Sequence, residues 1–123
     1  MKRVLIVEDQ TDIRKLLRMT LEFSSYEIHE ASDGASGLRM ASAVCPDLVL
    51  LDVMMPGEMG GLQVCQAIKS NPALASVKVV LLTARVQAGD REAGTQAGAD
   101  AYLVKPFSPL QLMDTIERLM AVV

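Results

Sequence analysis

Apolar residues in this chain gather in short blocks separated by polar turns. Val4-Leu5-Ile6-Val7, Leu48-Val49-Leu50-Leu51, Val77 to Leu82 (broken only by Lys78) and Tyr102-Leu103-Val104 are near-continuous apolar runs. Runs this short read as strands buried on both faces, the habit of a parallel sheet. Tyr26 to Ala31 instead alternates, with Ile28 between Glu27 and His29, which suits an edge strand. Between these blocks the period changes. Ile13, Leu16, Leu17, Thr20 and Leu21 fall at i, i+3, i+4, i+7 and i+8, one stripe of an α-helix. Ser32-Asp33-Gly34 reads as a turn and cap into a helix carrying Ala35, Leu38 and Ala41, which has ended by Pro46. A third helix, from about Leu62 to Ser70, turns Val64, Cys65 and Ile68 inward and stops at Asn71-Pro72. Gln87 to Ala97 is the weakest helix, because Gly89 and Gly94 each cost about 1 kcal/mol against alanine. Ser108-Pro109-Leu110-Gln111 is a strong helix start, with serine as N-cap, proline at the first position and glutamine completing a capping box. Leu112, Ile116, Leu119 and Val123 then face the core.

The order is strand then helix, five times over. It predicts an α/β fold: one parallel sheet, right-handed crossovers and helices on both faces. The most apolar strands, the first, third and fourth, belong in the middle, and the flavodoxin-like order 2-1-3-4-5 puts them there. No linker or low-complexity tract divides residues 1–123, so a single domain is expected.

Composition narrows the function classes. Half of the 123 residues are hydrophobic and 22% are charged, which suits a packed core. A net charge of -3, without a basic run or an aromatic platform, speaks against direct nucleic-acid binding. No apolar stretch approaches membrane-spanning length, and Met1-Lys2-Arg3 leads straight into the first strand, so neither a membrane span nor a leader is expected. Cys45 and Cys65 make neither a CxxC pair nor a disulfide framework. Both read as core or boundary residues, and the reducing cytoplasm is the expected compartment. His29, the only histidine, reads as an edge-strand side chain, and the eight methionines read as soft packing.

The chemistry lies where the strands end. Strand one closes on Glu8-Asp9, strand three on Asp52 before the chain breaks at Pro56-Gly57, strand four on Thr83 and strand five on Lys105. In a parallel sheet these ends share one edge, which is where open α/β sheets bind ligands. Like charges about 4 Å apart repel by about 4 kcal/mol at an effective dielectric near 20, so three carboxylates there invite a divalent cation or a raised pKa. Oxygen donors without thiolate or imidazole point to Mg²⁺ or a similar hard ion. A hard cation beside an ammonium and a hydroxyl makes a phosphoryl site.

Val7-Glu8-Asp9, Leu51-Asp52-Val53-Met54-Met55-Pro56, Leu82-Thr83-Ala84 and Ala99-Asp100-Ala101-Tyr102-Leu103-Val104-Lys105-Pro106-Phe107, in this order and spacing, resemble the CheY-like receiver domains of two-component response regulators over essentially the full chain. The resemblance implies that Asp52 is the phosphoacceptor for a phosphohistidine of a sensor histidine kinase or histidine phosphotransfer domain. It implies Mg²⁺ held by Glu8, Asp9, Asp52 and the backbone carbonyl of Met54, with Thr83 and Lys105 on the phosphoryl oxygens and Lys105-Pro106 cis. It makes Thr83 and Tyr102 the switch pair, and Met54 and Arg85 the residues that tune phosphoryl lifetime. The partner of the switched surface would be a downstream effector protein or a fused output domain. One departure stands beside the site: the loop from Met55 to Leu62 is one residue longer than the family pattern, with glycine where an acid is expected.

Rival classes fit less well. A haloacid-dehalogenase-like phosphatase needs a second acid two residues after the nucleophile, where this chain has Met54. A dinucleotide site needs a GxGxxG turn, where this chain has Glu8-Asp9-Gln10-Thr11. A degenerate receiver typically lacks an acid or the lysine, and all are here. A phosphoacceptor that assists its own phosphorylation and dephosphorylation is expected, not an enzyme turning over an outside substrate. Ala101 stands where winged-helix regulators of this kind often carry an acid and Met113-Asp114 where a basic residue would help them pair, so a monomer, or a dimer built differently, is expected.

Overall fold

A computed structural model describes residues 2–55, 59–84 and 97–120. Five strands, β1 (Lys2–Val7), β2 (Tyr26–Ala31), β3 (Leu48–Asp52), β4 (Lys78–Thr83) and β5 (Ala101–Val104), form one sheet in the order β2-β1-β3-β4-β5. Every neighbouring pair is parallel. The helices among the described residues are α1 (Thr11–Glu22), α2 (Gly34–Val44), α3 (Gly61–Ser70) and α4 (Pro109–Met120). None of them is long and apolar enough to cross a membrane.

The sheet has a core on each face, and strand parity sorts the residues between them. Leu5, Val7, Val49, Leu51, Val79 and Leu81 pack on one side with Ala41 of α2 and Val64, Cys65 and Ile68 of α3. Val4, Ile6, Leu48, Leu50, Val80 and Leu82 pack on the other with Leu17 and Leu21 of α1 and Leu112 and Ile116 of α4. All five residues of β3 are buried, as befits the central strand. Full burial of each such Leu or Val side chain stabilises the fold by roughly 1.5–3 kcal/mol. β2 lies at the edge, only Ala31 fully buried, and His29 there hydrogen-bonds the Glu27 carboxylate at 2.8 Å.

Caps set the helix ends. The Asp33 carboxylate accepts from the Ser36 amide at 2.7 Å and starts α2. In α4 the Gln111 amide donates to Ser108 Oγ at 3.0 Å while the Ser108 amide donates to Gln111 Oε1 at 2.9 Å, the reciprocal capping box expected of that stretch.

Some expectations need correction. Leu16 is 48% exposed, so the buried stripe of α1 is Leu17, Thr20 and Leu21 with Ile13 half-buried. Ala35 faces solvent; Gly34, Gly37 and Ala41 are the buried positions of α2. A side chain at Gly37 would begin 2.8 Å from both methyls of Val7, so glycine lets this helix lie close on β1. Cys65 is a core residue, but Cys45 is exposed at the end of α2, in the left-handed region with φ 51°. The helix expected at Gln87 to Ala97 lies outside the described residues except for Ala97, which is buried in a turn. Pro56, Gly57, Arg85 and Val123 also lie outside them.

Candidate functional site at the carboxyl edge of the sheet

Parallel pairing brings the strand-end residues together. Asp52 is the last residue of β3 and stands opposite Leu82 of β4, while Thr83, the last of β4, stands opposite Val104. The chain then enters Lys105, whose amide donates to the Thr83 carbonyl at 2.6 Å and whose peptide bond to Pro106 is cis. On the other side of β3, Glu8 follows β1, and its amide donates to the Ala31 carbonyl of β2 at 3.1 Å. α3 begins close beneath: Gly61 packs on the Asp52 carbonyl with no room for a side chain, and its amide donates to the Val53 carbonyl at 3.1 Å.

One oxygen each from Glu8, Asp9 and Asp52 lies within 4.8 Å of the other two. Glu8, Asp52 and Thr83 are buried. The Lys105 ammonium bridges two of the acids, 2.9 Å from Glu8 Oε1 and 3.4 Å from Asp52 Oδ1. Among the described residues Lys105 is the cation paired with these carboxylates, and the setting tells on Glu8. Burial, reinforced by the neighbouring Asp52 carboxylate, raises its carboxyl from 4.5 to about 7, against the pull of Lys105 and the Gln10 amide. Asp52 Oδ1 also accepts from the Met54 amide at 3.2 Å.

Asp9 Oδ1 is buried and has no hydrogen-bond partner. A buried, unpartnered carboxylate oxygen is costly unless something outside the protein meets it. Three hard oxygen donors converge here without a thiolate or an imidazole among them, so these residues fit a hard metal ion.

The model of the response regulator receiver domain matches residues 4–117. The chain belongs to the response regulator receiver family. Relatives and solved structures agree. The transcriptional regulatory protein ResD of Bacillus subtilis is 39% identical over 118 residues, 96% of this chain and 48% of ResD. The phosphate regulon transcriptional regulatory protein PhoB of Escherichia coli is 39% identical over 97% of this chain and 52% of PhoB. The chain thus spans about half the length of the curated relatives it matches. The chemotaxis protein CheY4 of Vibrio cholerae has the same fold, with a TM-score of 0.92 and 32% identity over 98% of this chain and 99% of that one.

As a receiver domain, the chain places Glu8, Asp9, Asp52, Thr83 and Lys105, all singled out from strand ends, at one edge of the sheet. Tyr102 does not join them. It packs with the core on the α2–α3 face, whereas Leu103 packs on the opposite face. Met54 is 59% exposed beside the site. The structure adds two contacts to Glu8 that strand-end reasoning missed: the Gln10 amide donates to Oε2 at 3.2 Å, and Arg14 Nη1 donates to the Glu8 carbonyl at 2.7 Å. The only signal for Arg14 was a charge placed beside the apolar stripe of α1.

Proposed function

We propose that Asp52 accepts a phosphoryl group from the phosphohistidine of a sensor histidine kinase or histidine phosphotransfer domain. The carrying observation is the Lys105 ammonium bridging Glu8 and Asp52 beside the unpartnered oxygen of Asp9. A carboxylate oxygen of Asp52 attacks phosphorus, the P–N bond to the donor breaks, and the electron pair leaves with the imidazole. Lys105 exchanges its carboxylate contacts for a phosphoryl oxygen, and Thr83 offers its hydroxyl to another. Glu8, Asp9, Asp52 and the Met54 carbonyl hold Mg²⁺, which neutralises charge on the phosphoryl oxygens when bound. The domain thus assists its own phosphorylation and dephosphorylation and turns over no outside substrate. Met54 and Arg85 tune how long the phosphoryl group lasts.

The switch pair of this reading is Thr83 and Tyr102. Tyr102 borders a hollow of about 210 Å³ lined also by Asp100, Ala101, Thr115, Arg118 and Leu119. The surface it alters would meet a downstream effector protein or a fused output domain. Residues 1–123 act as one domain, in the cytoplasm and as a monomer, with no nucleic-acid contact of their own.

Acetyl phosphate with Mg²⁺ tests the central claim. One phosphoryl group should be added by mass, none in Asp52→Asn and none in excess chelator. Labelling that survives in Asp52→Asn moves the acceptor elsewhere.

A further inference from the structure

Glu8 and Asp9 stand on the turn between β1 and α1, so the cation site depends on what holds that turn still. Four contacts do so around Glu8. Its amide is tied to the Ala31 carbonyl, its carboxylate to the Gln10 amide and Lys105, and its carbonyl to Arg14 Nη1 at 2.7 Å. The last one matters for Asp9. The Glu8 carbonyl and the Asp9 amide belong to one rigid peptide plane, so a donor gripping that oxygen fixes the direction in which Asp9 leaves the turn. Asp9 needs such help, because its own Oδ1 has no partner to hold it. Arg14 is itself anchored: its Nε lies 3.2 Å from Glu30 Oε1 on β2, and its side chain is only 19% exposed. One guanidinium thus links the edge strand, the first helix and the acid-bearing turn, a three-way reach that its planar fork permits and a lysine does not.

We propose that Arg14 is a positioning residue for the cation site, acting through the Glu8–Asp9 peptide without touching the metal. The proposal rests on the cation reading of Glu8, Asp9 and Asp52. Its local control is Arg18, which shares Glu30 at 2.6 Å and reaches the Ile28 carbonyl, but has its contacts on β2 and Glu22, not on Glu8. Removing either arginine strips an ion pair from the same carboxylate; only Arg14 removes the grip on the acid-bearing turn.

Mn²⁺ serves as the probe, its binding followed by the loss of the free-ion electron spin resonance signal, with melting measured in parallel on chelated protein. Wild type should bind one ion and Asp9→Asn should lose most of the affinity. If wild type binds none, or Asp9→Asn binds as well, the cation reading itself falls. Given that binding, Arg14→Met should weaken affinity by about 10-fold or more, the usual cost of removing a group that orients a ligand. Arg18→Met should keep wild-type affinity even where its melting temperature drops as far. Arg14→Lys, the gentler variant should Arg14→Met not fold, should fall between wild type and Arg14→Met. Phosphorylation from acetyl phosphate separates the roles again: Arg14→Met or Arg14→Lys should need more Mg²⁺ for half-maximal rate, with the rate at saturating Mg²⁺ close to wild type. Unchanged Mn²⁺ affinity in the folded Arg14 variants, or an equal loss in Arg18→Met, overturns the proposal.

Discussion

Glu8→Gln should make the chelated protein more stable at alkaline pH and leave it nearly unchanged at acid pH. In the fold the Glu8 carboxyl is raised from 4.5 to about 7, chiefly by burial and then by Asp52. A carboxyl whose folded pKa lies above its unfolded value contributes stability that is fully present below the unfolded value. That contribution is lost as pH rises through the folded one. The window is therefore 4.5 to about 7, and the loss across it is on the order of 3 kcal/mol. The charge repulsion that adds to burial can be bounded by Coulomb's law, before the offsetting pull of Lys105. Unit charges on Glu8 and Asp52 no farther apart than 4.8 Å repel by roughly 3 kcal/mol at an effective dielectric near 20. Glutamine copies the protonated acid at every pH, with an amide that can donate to Asp52 as the acid proton does. For a chain of 123 residues, a change of this size moves the melting temperature by about 10 °C.

The assay is thermal melting of both proteins in chelator at about pH 4 and about pH 8.5, a bracket around the window in which Glu8 titrates. The variant should match wild type at the lower pH and exceed it by about 10 °C at the higher. Asp33 and Glu27, whose carboxyls are lowered by the Ser36 amide and by His29 respectively, shift both proteins alike and cancel in the difference. Added Mg²⁺ should narrow the alkaline gap, because a cation that binds only the folded wild type stabilises it by mass action. A gap of the same size at both pH values would refute the reasoning, since it would show that Glu8 keeps its charge state across the window.

Two further outcomes are independent of the site. Burial pushes the Cys65 thiol up to about 11, and Cys45 is exposed, so brief alkylation of the native protein near neutral pH should give one adduct, on Cys45; peptide mass mapping that finds Cys65 labelled at a similar rate contradicts the packing of α3. Ser108→Ala removes one half of the capping box and should cost about 1 kcal/mol in denaturant unfolding, whereas an unchanged midpoint would mean the box contributes nothing to α4.

The positions that sequence misplaced share a geometrical cause. On α1, at about 100° per residue, Ile13, Leu17, Thr20 and Leu21 span an arc of roughly 100°, and Leu16 falls just outside it. Periodicity alone admits Leu16 to the stripe; only the contact with the sheet decides where the stripe ends, and there Leu16 is 48% exposed. On α2 the misreading of Ala35 comes from scoring alanine as apolar and glycine as neutral. The face nearest the sheet is the one with the least side chain, Gly37 against Val7, so the smallest residue marks the inside. Cys45 at the end of α2 was placed by residue type, but its backbone has left the helix in the left-handed region, which turns its side chain to solvent. Arg14 was invisible for a different reason. Its partner is a backbone carbonyl, and every residue has one.

The site was legible because its assembly needs only strand direction and register. Continuous apolar runs require burial on both faces, burial on both faces requires helices above and below, and the crossovers then make every strand parallel. Once the strands are parallel, Glu8, Asp52, Thr83 and Lys105 share an edge whatever the side-chain details. Register supplies the rest. β3 pairs with β4 from Leu48 opposite Lys78 through Asp52 opposite Leu82, which buries alternate residues of both strands on matching faces. A slip of one residue would move Leu48 and Leu50 away from Val80 and Leu82 and toward the face of Val79 and Leu81. The apolar pattern that excludes such a slip also sets how far Asp52 projects past its neighbours, and so holds it 3.4 Å from the Lys105 ammonium. The requirements of the core thereby place Asp52 beside the Lys105 ammonium.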